Sequence, residues 1–168
     1  MTPRQMMQIV LFLAMTTTLS ASIFSLSVPG GHLYLNGIII YLTALLFSPF
    51  QAAFIAGVGS FLGDFFFYPA AMWVSFVVHG LQAYVIARSL SGKEEPYTKF
   101  QIGLAIGMGA LVDMIGFYIG RSFIYATPSQ ALLKIPFDSL QLCVGISGAL
   151  LIYGNPTFQK IWQSSRRI

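Results

Sequence analysis

Long apolar blocks, each closed by a short cluster of turn residues, set the pattern of this 168-residue chain, and no formal charge falls between residues 5 and 63. The first block covers about 5–25 and stops before Ser27-Val28-Pro29-Gly30-Gly31-His32, a stretch a helix does not cross easily. A shorter block, about 34–47, ends at Ser48-Pro49-Phe50-Gln51. These four residues read as an N-cap, a proline at the first helical position and a glutamine three residues after the cap, so they start a new helix over about 49–67. Tyr68-Pro69 restarts the chain for about 69–88, and the polar run 89–99 separates that block from the next, about 99–124. Thr127-Pro128-Ser129-Gln130 repeats the capping signature, and Gly154-Asn155-Pro156 is a helix stop. The block between them, about 128–154, is expected to kink or restart at Pro136.

Uncharged apolar runs of about 18 residues or more read as membrane spans. The expected fold is therefore an all-α membrane protein with six transmembrane helices in one bundle, residues 1–168 forming a single integral membrane domain. Composition agrees, with 56% hydrophobic and 8% charged residues, against roughly 25% charged in a soluble domain. The second block is the weak one, because ~14 residues rise only ~21 Å against a ~30 Å hydrocarbon core. The Pro-Gly-Gly-His-Leu-Tyr-Leu-Asn-Gly segment before it is expected to fold back and make up the difference. With six crossings, Arg4, Arg88, Lys93, Lys99, Lys160, Arg166 and Arg167 share one side with both termini, and only Arg121 and Lys134 lie on the other. The excess of Lys and Arg marks the cytoplasmic side. Leu19-Ser20-Ala21-Ser22 looks like a signal-peptide ending, but cleavage there would leave five spans and spoil this asymmetry.

Several chemistries fail on residue counts. Ser91-Gly92-Lys93-Glu94-Glu95 lacks both the earlier glycine and the Ser/Thr of a phosphate loop, and Gly57-Val58-Gly59 is followed by Leu62 where a dinucleotide fingerprint needs glycine. His32 and His79 are the only histidines and sit far apart, so there is no metal motif, and no Ser stands in Gly-x-Ser-x-Gly. A lone Cys143 forms no internal disulfide. No enzyme, cofactor, metal or nucleic-acid role is expected. A meeting of Asp113 with His79 as an intramembrane acid and base is the one catalytic option left open, and it ranks well below binding.

The remaining polar residues are expensive in lipid, ~2.5–3.5 kcal/mol for a central Asp, and so point to a site. On the fourth helix Met72, Ser75, Phe76, His79 and Gln82 share a stripe, on the fifth Asp113, Gly116, Phe117, Gly120 and Arg121, and on the sixth Lys134, Asp138, Gln141 and Gly145. All three stripes are polar toward the outer half, which predicts one cavity opening outward. His79, Asp113, Gln141, Asp138 and Gln82 are its candidate polar groups. His32, Tyr34 and Asn36 join them from the outer loop, a candidate lid, and Trp73 is a candidate stacking surface. Each also has a plainer reading: Asp138 placed in a first turn beside Lys134, Asp113 as helix-packing glue, His79 as a satisfied core residue. Asp64 reads both as a cap on a tightly packed helix and as a ligand contact. Ala52, Ala56 and Ser60, and Ala53 and Gly57, are spaced by four for close packing in lipid.

The stretch Asn36–Asp64, with its short helix, proline turn and Gly/Ala-rich helix ending in Gly-Asp, resembles the second-to-third helix segment of the S components of energy-coupling factor (ECF) transporters. Phe76–Ala87 is similar to their fourth-helix segment, with His79 standing where Lys is frequent before Gly-Leu-Gln. The resemblance implies the substrate-binding subunit of an ECF-type ABC transporter in a prokaryotic plasma membrane. Such a subunit captures a small vitamin from outside and docks on a transmembrane coupling subunit driven by two ATPase subunits, in keeping with the missing phosphate loop. Docking in the family uses small residues spaced by four on the first helix. Here these are Ala14, Thr18 and Ser22, or Thr17 and Ala21 on the adjacent face, a departure from Ala-x-x-x-Ala. Among the family's vitamins, the modest polar inventory favours hydroxymethylpyrimidine or pyridoxine, hydrogen-bonded by His79, Asp113 and Gln141 and stacked on Trp73 or Tyr34. The rival reading is an intramembrane structural or assembly subunit without a ligand.

Overall fold

The computed structural model describes residues 2–21, 25–29, 31–93 and 97–166. Helix α1, Pro3–Ser20, starts at a reciprocal cap in which Gln5 N donates to Thr2 Oγ1 (3.3 Å) and Thr2 N to Gln5 Oε1 (3.0 Å). An antiparallel hairpin follows, β1 Leu26–Val28 and β2 Gly31–Leu33, with Ser27 opposite His32. Then come α2 Asn36–Leu46, α3 Pro49–Phe67, α4 Met72–Leu90 and α5 Lys99–Gly120, the last running into a π-helical turn, Arg121–Tyr125. Helix α6, Pro128–Tyr153, and α7, Pro156–Arg166, complete the chain.

The expected all-α class holds, with corrections. The caps at Ser48/Gln51 and Thr127/Gln130 do start helices. Helix α6, however, does not restart at Pro136 but continues through it as one helix, since a proline removes one backbone hydrogen bond without obliging a helix to end. Gly154-Asn155-Pro156 stops α6 and also starts α7. Asn155 Oδ1 accepts from Thr157 N (2.9 Å) and Phe158 N (3.2 Å), so the residue is an N-cap with proline just inside. Among the described residues, three helices are long and apolar enough to cross a membrane: Pro49–Phe67, Lys99–Tyr125 and Pro128–Tyr153.

Helix α2 has another role. All of its residues except Gly37 and Ile38 are buried, the mark of a helix surrounded by protein rather than lipid. It lies against α1, α3, α4 and α6, while α1, α3, α4, α5 and α6 follow one another around it. Small residues allow this closeness. A Cβ added to Gly59 of α3 would meet Thr16 Cβ of α1 at 2.7 Å, and one on Gly145 of α6 would lie 3.1 Å from the Gly37 carbonyl carbon of α2. Ala52, Ala56 and Ser60, the four-residue repeat, are fully buried on α3.

Candidate functional site

The turn-rich segments at the α2 N-terminus, the α3–α4 junction and the α5–α6 junction all meet at one end of the bundle. There they line an open cleft of about 570 Å³, a volume that includes its open mouth. The hairpin and the segment after it bring Gly31, His32, Tyr34 and Asn36; α3 and its C-cap bring Asp64 and Tyr68; α4 brings Ser75 and His79. Helix α5 and the π turn bring Asp113, Phe117, Arg121 and Tyr125, and α6 brings Lys134, Asp138 and Gln141. The π turn matters because the register it creates places both Arg121 and Tyr125 in the lining.

Two charged clusters stand in the cleft. Asp138 Oδ2 accepts from Arg121 at 2.8 Å, and its Oδ1 is 3.2 Å from Lys134 Nζ, so one carboxylate serves two cations. His79 Nδ1 lies 3.4 Å from Asp113 Oδ1 and 3.0 Å from Gln82 Oε1. Both partners are acceptors, which puts the proton on Nδ1. Phe117 covers that imidazole at a ring distance of 5.0 Å. An aromatic rim closes the upper part: His32 is 6.1 Å from Tyr34 and 6.2 Å from Tyr68, and Tyr68 is 6.1 Å from Tyr125. Gln141 Oε1 accepts from Tyr34 N (2.9 Å), tying the hairpin's exit to α6, and Asn36 Nδ2 donates to Ser20 Oγ (2.9 Å), tying α2 to α1. Asn36 Oδ1 is buried in the lining without a hydrogen-bond partner, and the buried Lys134 Nζ, which meets Asp138, keeps further N–H groups to spare. An unpaired acceptor and a buried ammonium with unused N–H groups within one cleft are costly unless a ligand answers them.

Seven of the nine residues singled out from the sequence line this cleft: His32, Tyr34, Asn36, His79, Asp113, Asp138 and Gln141. Gln82 does not; it lies behind His79 and orients its ring. Trp73 is a correction. It is 62% exposed on the outer face of the bundle against Phe61 (5.0 Å) and Phe76, because its position on α4 falls outside the Ser75–His79 stripe. Phe76, expected on that stripe, also faces outward. Arg121 and Lys134 were visible on the polar stripes but not counted as site residues. Tyr68 and Tyr125 carried no signal, since one sits in a cap and the other depends on the π turn.

Away from the cleft, Ala14 and Thr18 lie on the exposed face of α1. Thr18 Oγ1 donates back to Ala14 O (2.9 Å), so the side chain offers its methyl group outward. Thr17 is half-buried, Ala21 is buried, and Ser22 lies outside the described residues. The alternative stripe through Thr17 and Ala21 is therefore turned into the bundle rather than away from it.

A family model described as "ECF-type riboflavin transporter, S component" matches residues 1–156. A protein of Pyrococcus woesei described as "Uncharacterized protein in gap 3'region" is 28% identical over 131 residues, which cover 77% of this chain and 86% of that protein.

Proposed function

This chain belongs to the family of S components of ECF-type riboflavin transporters, and from that membership we propose that it captures a riboflavin-type vitamin in the cleft between α2, α4, α5 and α6. It is a membrane transport subunit and not an enzyme. The observation that carries the ligand reading is the unanswered Asn36 Oδ1, with a buried Lys134 ammonium that meets Asp138 and keeps further N–H groups to spare, under an aromatic rim. A flat heteroaromatic ring whose edge alternates N–H and C=O would give a donor to the first and an acceptor to the second. The rings of Phe117, Tyr68 and Tyr125 would offer it stacking surface. Riboflavin has such an edge and hydroxyl groups besides.

Hydroxymethylpyrimidine and pyridoxine, favoured on polar inventory alone, remain the second reading. What supports them is the charge-dense inner wall, where His79–Asp113 and Arg121–Asp138 leave less apolar area than a three-ring ligand would use.

The proposed topology has six crossings with both termini cytoplasmic. The cleft end then faces outward, and its only two cations, Arg121 and Lys134, are both paired to Asp138 within it. The exposed Ala14–Thr18 face of α1 would meet the coupling subunit, with two ATPase subunits supplying the energy that this chain has no phosphate loop to harvest.

Mass spectrometry of small molecules that co-purify with detergent-solubilised protein, from cells grown in vitamin-rich medium, tests the ligand directly. Riboflavin near equal stoichiometry supports the first reading, and a pyrimidine or pyridine alcohol supports the second. A protein that retained and bound none of these vitamins, also when titrated with each, would remove both.

A further inference from the structure

Helix α7 begins where the family match ends. It runs across the end of the bundle opposite the cleft. The Trp162 ring is 6.0 Å from Phe12 of α1 and 5.3 Å from Phe47 at the α2 C-terminus, and Gln8 Nε2 donates to Ser165 Oγ at 2.8 Å. Phe158 stacks on Trp162 at 6.5 Å, and Gln159 Nε2 reaches back to Tyr153 O of α6 (2.8 Å). The helix thus touches the ends of α6, α2 and α1 in turn, which lays it along the face where the apolar helices stop.

That placement uses Phe158 and Trp162 but leaves Ile161 65% exposed. The charge on the segment is of one sign. After Asp138 the chain contains no acidic residue, and Lys160, Arg166 and Arg167 are its only charges. A cationic helix with an uncovered aliphatic side chain, held at the level where spans end, matches the chemistry of an anionic headgroup layer over hydrocarbon. A protein partner would be needed to cover Ile161 only if lipid did not.

We propose that α7 is a headgroup-binding foot: it grips anionic lipid of the adjoining leaflet through Lys160 and the positive charge of its C-terminal sequence, with Ile161 dipping toward the acyl boundary, and so ties the start of α1 to the membrane surface. The proposal does not depend on which vitamin the cleft holds.

The chain has two tryptophans, so Trp73→Phe leaves Trp162 as sole reporter. The full-length variant is reconstituted in vesicles containing brominated phosphatidylglycerol or brominated phosphatidylcholine at equal mole fraction, and quenching of Trp162 is compared. The expected result is stronger quenching by the anionic lipid, with a relative association constant of about fivefold or more, the worth of a single cation near an anionic surface. The preference should weaken at ~1 M salt, where the Debye length falls to ~3 Å. It should fall partway in Lys160→Gln/Arg166→Gln and vanish in Lys160→Glu/Arg166→Glu, while an unshifted Trp162 emission maximum shows that α7 is still packed. Equal quenching by the two lipids overturns the proposal, as does a preference that survives both double variants. Absence of quenching by either lipid also overturns it, because an α7 lying on the headgroup layer would keep Trp162 within reach of the brominated chains even while its ring packs on the bundle.

Discussion

Asp138 and Lys134 allow the stability role of the cleft to be separated from its binding role. Asp138 is 14% exposed and neutralises two side chains, Arg121 at 7% and Lys134 at 2%. In Asp138→Asn both cations lose their shared carboxylate while staying buried. Breaking a buried pair from one side costs ~3–5 kcal/mol, which corresponds to a fall in melting temperature of about 6–20 °C for a chain of this size. Lys134→Met is the opposite case. It keeps the 2.8 Å Arg121–Asp138 bond, removes a buried ammonium group that meets Asp138 alone and leaves its other N–H groups unused, and fills the space with a side chain of similar length. Folding should change by less than about 1 kcal/mol, because removing a poorly solvated charge offsets the lost attraction. Vitamin affinity should nevertheless fall by ~1.5–3 kcal/mol, the range for a hydrogen bond to a charged group, or about 10- to 150-fold in Kd. Melting curves in detergent and titration of ligand fluorescence read the two quantities independently. If Lys134→Met bound its vitamin as tightly as the parent, the spare N–H groups of Nζ would not be ligand donors and that part of the reasoning would fail. If Asp138→Asn melted with the parent protein, the triad would not be holding α6 to the π turn.

Other expectations follow from the same geometry. His79→Ala and Asp113→Asn should each weaken vitamin binding at least tenfold while the protein still extracts as a folded monomer; equal losses of binding and of extractable protein would indicate a structural pair only. Gly59→Val should lower the melting temperature, by ~1–3 kcal/mol of overpacking, since its Cβ would stand 2.7 Å from Thr16. Because that contact is remote from the cleft, ligand affinity at low temperature should be retained, and a parallel loss of affinity would count against the separation. Thr18→Trp on the exposed face of α1 should abolish vitamin uptake in cells carrying the coupling subunits, with binding to the isolated chain unchanged; undiminished uptake would remove α1 as the docking helix.

Punctuation carried most of the fold. Proline, glycine and capping residues are local signals, and the starts of α3 and α6 could be read because Ser48/Gln51 and Thr127/Gln130 act through bonds three residues apart. Helix α7 carried the same kind of signal in Asn155-Pro156, but a stop and a start written with the same residues read as a stop alone. Its amphipathic pattern, with Phe158 and Trp162 four apart, was available too. The stripes on α4, α5 and α6 placed His79, Asp113, Asp138 and Gln141 in one cleft because a helical period is all that is needed to align them. What periodicity could not supply was the π turn. Hydrogen bonds that close over five residues instead of four between 121 and 125 rotate Tyr125 relative to an ideal α-helix, and no residue type announces it. Trp73 was misplaced for a related reason. An aromatic residue near a cleft mouth has two directions to face, and α4's packing on α3 through Phe61 and Phe76 decided for the lipid side.

The short second helix, which looked like a defect in a six-span scheme, is what leaves room for the cleft. Helix α2 has 11 residues and α3 has 19, so at 1.5 Å per residue they rise ~16 and ~28 Å. The C-terminus of α2 and the N-terminus of α3 share one level, at the end of the bundle away from the cleft, since only Phe47 and Ser48 lie between them. The ~12 Å by which α2 falls short therefore appears wholly at the cleft end, directly above Asn36. A full-length central helix would have filled that volume with apolar side chains, and the polar stripes of α4, α5 and α6 would have been packed against it at a cost no ligand could repay. Because α2 stops short, those stripes face a cleft roofed by the hairpin at 26–33, and Asn36 becomes its floor. Extending α2 by one outer turn, with four alanines inserted before Asn36, should consequently abolish vitamin binding while raising or sparing thermal stability. Retained binding in that variant would show that the depth of the cleft is set by the surrounding helices and not by the length of α2.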